Sequence, residues 1–93
     1  MIINWTNDAR LDLREILTFI NDKNPQAADN LKCQIFEAVE QLVAHPYLYR
    51  VGAVPATREI VVHPNYVVVY RVAVEHIEIL NVLHARQQYP TSP

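Results

Sequence analysis

Glycine, serine and cysteine are almost missing from this chain of 93 residues. It has one of each: Gly52, Ser92 and Cys33. Glycine-rich phosphate loops need several glycines and the nucleophile elbow of hydrolases needs an internal serine, so both kinds of site are excluded. A single cysteine excludes an internal disulfide and a thiolate metal cage. Because the four histidines lack the short paired spacings of metal ligands, we expect no metal and no cofactor.

A surplus of positive charge is also lacking. Eight Lys and Arg face ten Asp and Glu, for a formal net charge of −2. This balance argues against a surface that coats nucleic acid, and we expect no sequence-specific DNA binding by the chain alone. With 51% hydrophobic and 19% charged residues, the composition supports a folded core. The length predicts one domain over residues 1–93, with a flexible tail at about 90–93.

Long hydrophobic runs are missing too. The N-terminal stretch MIINWTNDARLDLRE has no basic segment followed by an apolar run. Such runs are needed for a signal peptide or a membrane span. We therefore expect a cytoplasmic protein that does not bind membranes.

The charges that are present divide unevenly along the chain. Residues 1–45 contain seven acidic and four basic residues, a balance of −3. Residues 46–93 contain three acidic residues and four bases, a balance of +1, and no lysine follows Lys32. If the protein has an anionic partner, the second half is therefore where it is expected to bind. The four bases there are Arg50, Arg58, Arg71 and Arg86.

The first half has the periodicity of two helices. Apolar residues recur every three or four positions over 7–23 and again from Pro25 until Pro46 ends the pattern. Thr6 or Asn7 is a suitable cap for the first helix, and Asn24 followed by Pro25 predicts the start of the second. The short connection predicts an antiparallel helical hairpin. The first-helix acids interleave with arginines, which indicates a solvated face; these acids are Asp8, Asp12 and Glu15.

Beyond Pro46 the period changes to two and β-branched residues dominate. Three strands are predicted at 57–62, 66–74 and 76–83, and the short turns between them require antiparallel neighbours. Residues 2–6 predict a further strand at an edge of the sheet. The 66–74 strand is apolar on both faces and is expected to lie centrally, with the helices over one face. Residues 47–56 predict a loop, and the fold class is therefore α+β.

Aromatic side chains in that loop suit contact with another protein. Tyr47 and Tyr49 flank Leu48, with Val51 close behind, and are candidate exposed anchors for a partner. An edge strand with surplus apolar sheet surface suits a partner that adds a strand and lays a helix into a groove.

The order of elements and several segments resemble the RelE/ParE superfamily of toxins from type II toxin-antitoxin systems, and are most similar to the ParE branch. These segments are WTNDARLDLREI, HPYLY, REIVVHPNYVVVYRV and EILNVLHARQQYP. The resemblance implies a growth-arresting toxin held inactive in a hetero-oligomer with a cognate antitoxin. RelE-like members cut messenger RNA on the ribosome, whereas ParE-like members act on DNA gyrase.

Cleavage of RNA by its own 2′-hydroxyl needs a base, an acid and cations on the phosphate. Arg58 and Arg71 fall on adjacent predicted strands and are a candidate phosphate clamp. Alternatively, they are half-buried sheet residues paired with Glu59, Glu78 or an antitoxin carboxylate. RelE-like nucleases place catalytic groups after the last strand. The nuclease candidates are therefore Arg58, Arg71, His84, Arg86 and Tyr89.

A gyrase-directed, non-enzymatic toxin is the leading hypothesis, because few lysines and a charge of −2 fit a ribosome-binding nuclease poorly. A ribosome-dependent endoribonuclease and an inactive antitoxin-binding module stay open. The expected target-binding residues are Arg71, His84, Arg86 and Tyr89. The expected antitoxin-binding residues are Tyr47, Tyr49, Arg58 and Tyr70.

Overall fold

The computed structural model describes residues 1–86, which form two helices and five strands. In chain order they are β1 (Ile2–Trp5), α1 (Asn7–Asn21), α2 (Pro25–Gln41), β2 (Arg50–Val51), β3 (Arg58–His63), β4 (Tyr66–Val72) and β5 (His76–His84). The strand order in the sheet is β1-β5-β4-β3-β2. Strand β1 is parallel to β5 and all other pairs are antiparallel. The predicted α+β class, with an edge strand, a helical hairpin and a meander, is confirmed.

Both helices begin at the predicted caps. The Thr6 hydroxyl accepts a hydrogen bond from the Ala9 N–H, and the Asn24 side chain accepts one from the Ala27 N–H. Helix α2 ends at Gln41, earlier than the position of Pro46 suggests. The residue before a proline is disfavoured in helical conformation, so the chain leaves the helix ahead of it.

A short strand in the predicted 47–56 loop was missed. Strand β2 pairs with β3 through Arg50 opposite Glu59 and Val51 opposite Arg58. Two residues are too few to show a period of two, so the sequence pattern gives no signal for this strand. The expected long loop is therefore two shorter connections, and β2 rather than β3 forms the second edge of the sheet.

The helices cover one face of the sheet, and β4 is its middle strand, as predicted. Val69 and Leu83 are buried on the opposite face, which agrees with the two-sided apolar pattern of β4. The core shared by helices and sheet consists of Ala9, Leu31, Ile35, Val39, Leu42, Ile60, Val68, Tyr70, Ile77, Ile79 and Val82.

A carboxylate fixes α1 to the sheet at an irregularity in β5, where the pairing with β4 shifts register. Asp12 Oδ2 accepts hydrogen bonds from Asn81 Nδ2 and from the Val82 N–H, each at 3.0 Å. The expectation that Asp12 belongs to a solvated face is therefore wrong. Its partners are distant in sequence, and helical periodicity does not indicate them.

Candidate functional site

Arg58 lies half-buried at the start of β3 and holds the chain that follows α2. Its Nη1 donates to the carbonyl oxygen of Tyr49 at 2.8 Å and to that of Tyr47 at 3.3 Å. The guanidinium also lies 5.1 Å from the centroid of the Tyr47 ring, a cation–π distance. The side chain predicted to bind an antitoxin therefore also positions the two predicted aromatic anchors.

Tyr70 supports the same segment from inside the core. Its hydroxyl donates to the Pro46 carbonyl oxygen at 2.7 Å, and its ring meets Tyr49 edge-on with centroids 6.5 Å apart. Burial raises the pKa of Tyr70, while the charge of Arg58 acts in the opposite direction. Tyr70 is fully buried and supports the segment that carries the predicted anchors Tyr47 and Tyr49, and its own contact with an antitoxin stays a prediction.

A small cavity opens beside Arg58, and we call it the Arg58 cavity. It has a volume of about 290 Å³. The nearby Tyr47, Leu48 and Val51 side chains are 64%, 67% and 70% exposed. A half-buried cation is thus adjacent to exposed apolar groups, a composition suited to a protein partner. The cavity is lined by Tyr47, Val51, Ala56, Thr57, Arg58 and Val72.

The loop between β2 and β3 shapes one side of this cavity. The Gly52 N–H donates to the Thr57 carbonyl oxygen at 2.8 Å, and the Thr57 hydroxyl donates to the Val54 carbonyl oxygen at 2.6 Å. Ala56 has φ of 65°, a left-handed conformation that costs energy for a residue other than glycine. A Cβ at position 52 would collide with the Thr57 hydroxyl, so the close approach explains the single glycine.

Arg71 points to the other face of the sheet. Arg58 is opposite Tyr70 in the β3–β4 register, so the next residue of β4, Arg71, has the opposite orientation. Arg71 Nε donates to Glu78 Oε1 at 2.9 Å, and Nη2 contacts the same oxygen. The Arg58–Arg71 phosphate clamp is therefore wrong. The alternative pairing of Arg71 with Glu78 is confirmed, although Arg71 is exposed and not half-buried as expected.

His84 lies at the opposite end of the strands, where Tyr66 is its cross-strand partner. The Tyr66 ring centroid is 5.3 Å from the His84 ring and 5.7 Å from the His63 ring. His84 Nδ1 accepts a hydrogen bond from the Arg86 N–H, and His63 Nδ1 accepts one from the Asn65 N–H. This pattern assigns each ring to the neutral tautomer that has its proton on Nε2. Sequence reasoning missed the participation of Tyr66 in this group.

The nuclease candidates are consequently divided. Arg71 and His84 are separated by five residues along β4, measured from Arg71 to the His84 partner Tyr66, or about 16 Å. Arg86 is exposed and close in sequence to His84, and Tyr89 lies outside the described residues. Residues 1–86 thus bring His84 and Arg86 together at one end and place Arg58 and Arg71 on opposite faces at the other.

An apolar groove lies on the helical side of the molecule. The Trp5 and Phe36 rings are 5.6 Å apart by centroids, and Leu13 and Leu17 continue the apolar lining over a volume of about 340 Å³. Sequence reasoning anticipated a groove for a partner helix without locating it. The available signal was Phe36, which interrupts the polar outer face of α2 and is 38% exposed.

No cluster of three or more His, Cys, Asp or Glu side chains suitable for a metal ion occurs within residues 1–86. Cys33 is exposed in α2. Neither described helix is long and apolar enough to cross a membrane.

Comparison with known proteins decides the family. Residues 3–89 match the family described as ParE toxin of type II toxin-antitoxin system, parDE. The chain belongs to this family. Membership in a toxin-antitoxin family implies a cognate antitoxin as partner, and it confirms the superfamily indicated by the sequence.

Individual relatives agree with this family. The toxin is 38% identical over 89 residues to the Sinorhizobium fredii protein Y4kP, covering 95% of this chain and 92% of that protein. It is 35% identical over 81 residues to Toxin RelE2 of Caulobacter vibrioides, covering 87% and 91%.

Solved structures give the same fold. The chromosomal ParDE system of P. aeruginosa contains a chain that matches with a TM-score of 0.79 and 27% identity over 90% of this toxin and 95% of that chain. The isolated E. coli RelE toxin matches with a TM-score of 0.59 and 16% identity over 95% and 87%, a similarity of fold.

Proposed function

We propose that this toxin arrests growth by binding DNA gyrase and that its antitoxin neutralises it. The observation that carries the proposal is the separation of the cationic and histidine side chains that RNA cleavage would need. A 2′-hydroxyl attack requires its base, acid and phosphate-binding cations around one phosphate. In the described residues Arg58 binds backbone carbonyls, Arg71 binds a carboxylate on the other face, and His84 lies at the far end.

Charge supports the same choice. A nuclease that works on the ribosome binds a polyanionic surface, and such binding depends on many cationic contacts. Here no lysine follows Lys32, and two of the four arginines after that point, Arg50 and Arg71, are already paired with carboxylates. Little uncompensated positive charge remains in the sheet for ribosomal RNA.

We place the gyrase-binding surface at the end of the sheet that carries His84 and Arg86; Tyr89, a further predicted target-binding residue, lies outside the described residues. Arg86 is exposed there, and no carboxylate within residues 1–86 is in ion-pair distance of it. Arg71 lies at the other end of β4 in its pair with Glu78, and we leave it outside this surface.

A supercoiling assay tests the target. Purified toxin is added to gyrase and relaxed plasmid, with toxin premixed with its antitoxin as the control. We expect inhibition by free toxin and its relief in the premixed sample. Full supercoiling at saturating toxin would contradict a gyrase target.

The endoribonuclease alternative keeps two supporting observations: the 35% identical relative named RelE2, and the His63–Tyr66–His84 group. An in vitro translation reaction followed by primer extension tests it. Codon-phased cuts that disappear in a His84→Ala variant would favour this alternative over gyrase.

Expression in cells tests whether the toxin is active at all. Growth arrest is expected when the toxin is expressed alone, and normal growth is expected when the antitoxin is expressed with it. Normal growth in both cases, with folded toxin present, would favour an inactive antitoxin-binding module.

A further inference from the structure

We propose that the Arg58 cavity binds one Asp or Glu side chain of the antitoxin, presented by a segment whose neighbouring side chains are apolar. The inference rests on the toxin-antitoxin part of the proposed function and is independent of the gyrase target. It specifies that the Arg58 cavity is where the antitoxin supplies a negative charge.

The first argument is the uncompensated charge of Arg58. Within residues 1–86 only its Nη1 donates, to two carbonyl oxygens, and no carboxylate lies within ion-pair distance of the guanidinium. Two carboxylates of the second half are already in use: Glu59 accepts from Arg50, and Glu78 accepts from Arg71. A half-buried cation without a counter-charge is costly, and a carboxylate fits the remaining N–H groups of guanidinium in bidentate fashion.

The second argument is the size and rim of the cavity. Its volume of about 290 Å³ is at the lower limit of small-molecule sites, which suits an inserted side chain. Tyr47 and Val51 form an apolar rim that would exclude water from the ion pair once the partner binds. Apolar neighbours that exclude water strengthen the Coulombic attraction within a central, hydrogen-bonded charge pair at an interface.

The third argument is the open edge of β2 beside the cavity. Because the Gly52 N–H bonds to the Thr57 carbonyl oxygen, the strand alternation turns the N–H and C=O of Val51 away from β3. An extended segment of the antitoxin can pair with that edge. Every second side chain of this segment would then face the side of the sheet where Arg58 lies.

A carboxylate suits the cavity better than a phosphate of nucleic acid. Arg58 is the one cation among the lining residues, and the rim is apolar. Arg50 is bound to Glu59, so it does not add a free charge nearby. Nucleic-acid phosphates are held by several cationic or backbone donors along a groove, which the described residues around this cavity do not provide.

The test places a carboxylate in the cavity from within the toxin. Val51 is the cross-strand partner of Arg58 on the same face and is 70% exposed, so the side chain of Val51→Glu reaches the guanidinium without disturbing the core. We expect this variant to bind the antitoxin about 10- to 100-fold more weakly in a calorimetric titration, the range of a lost hydrogen-bonded charge contact. Its melting temperature should equal or exceed that of the unmodified toxin.

Two matched variants separate charge from shape. Val51→Gln has the shape of the glutamate without its charge, so it measures the loss of affinity caused by the altered rim alone, and it should bind the antitoxin clearly more tightly than Val51→Glu does. Val61→Glu adds the same charge at an exposed valine of β3 and should bind normally. Equal affinities of Val51→Glu and Val51→Gln would overturn the proposal.

A second measurement removes the cation itself. Arg58→Gln is titrated at low and high NaCl, because a guanidinium–carboxylate contact makes binding weaker as salt rises. We expect the salt dependence of antitoxin binding to decrease in this variant while its helical circular dichroism stays unchanged. An unchanged salt dependence would contradict the proposal. It would also be contradicted if a short RNA bound more weakly to Val51→Glu and Arg58→Gln than to the unmodified toxin while the antitoxin bound all three equally well. No gyrase is present in these titrations, so failure of the gyrase target leaves their outcome unaffected.

Discussion

The tyrosines around Arg58 have different roles because they differ in burial. Tyr70 is fully buried and orients the chain through its bond to the Pro46 carbonyl oxygen. Tyr47 is largely exposed and lies against the guanidinium of Arg58. Arg58 and Tyr70 therefore hold one short segment from two sides, and the exposed ring of Tyr47 is presented from a fixed backbone. Such pre-organisation lowers the entropy lost when a partner binds.

Tyr70→Phe is expected to lower the free energy of unfolding by about 1 kcal/mol at neutral pH, the value of a lost hydrogen bond. The unmodified toxin should also lose stability at alkaline pH. Burial raises the pKa of Tyr70 above its ordinary value, so the folded state retains this proton more strongly than the unfolded state. That stabilisation is complete below the ordinary pKa and is lost as pH rises through the raised value. The free energy of unfolding, measured with urea across this alkaline range, should fall less steeply with pH for Tyr70→Phe than for the unmodified toxin. Equal slopes would show that the Tyr70 hydroxyl does not cause the alkaline loss of stability.

Asp12→Ala is expected to lower the free energy of unfolding by about 1–3 kcal/mol. The substitution leaves the Val82 N–H and the Asn81 amide without their shared acceptor in a partly buried site. Glu15→Ala is the matched control, because it removes an exposed carboxylate of the same helix and should change stability by less than about 0.5 kcal/mol. Equal midpoints in chemical denaturation for the two variants would show that Asp12 does not fix α1 to β5.

At the scale of elements, the unusual part of the fold is the chain from the end of α2 to the start of β3. It contains a two-residue strand, an alanine with positive φ and a glycine packed against Thr57. These features depend on one another, since β2 positions Val51 opposite Arg58 and the tight loop returns the chain to β3. The strained conformation of Ala56 is retained beside the Arg58 cavity, where it helps to shape the lining.

Gly52→Ala is expected to destabilise the toxin by about 1–3 kcal/mol, because the added methyl group collides with the Thr57 hydroxyl. Thr57→Ala removes the colliding oxygen and, with it, the hydrogen bond to Val54. In the double variant the collision is absent. The free energy of unfolding that it loses should therefore be smaller than the sum of the losses in the two single variants. Additive losses in thermal unfolding would show that the two residues do not interact in this way.

The same segment shows where sequence patterns stop being informative. The caps at Thr6 and Asn24 and the two-sided apolar pattern of β4 are local signals, and the structure has these features where the sequence predicts them. Strand β2 is shorter than the period that would reveal it. The opposite orientations of Arg58 and Arg71 follow from the cross-strand register, which neither strand specifies by itself. Fold class was therefore accessible from sequence, whereas the grouping of site residues was not.

At the scale of the whole molecule, the two predicted contact regions lie at opposite ends of the sheet. Arg58 and its cavity are beside β2, and Arg86 follows the far end of β5. Residues 46–93 have a formal net charge of +1, whereas residues 1–45, which include the helical hairpin, have −3. The hairpin therefore does not compete with the sheet for an anionic partner. This separation allows the residues proposed to face the antitoxin and those proposed to face the target to be varied independently.

Arg86→Glu tests that independence and the proposed gyrase surface together. Reversing an exposed charge at an interface mainly slows association, and we expect the toxin concentration for half-maximal inhibition of supercoiling to rise about 10-fold. The affinity for antitoxin at the Arg58 cavity should change little, because the two positions lie at opposite ends of the sheet. Arg14→Glu makes the same change of net charge on the exposed side of α1 and is the matched control. If both variants lose inhibition equally, net charge rather than a local surface governs the interaction with gyrase. If Arg86→Glu inhibits like the unmodified toxin, the gyrase-binding surface lies elsewhere.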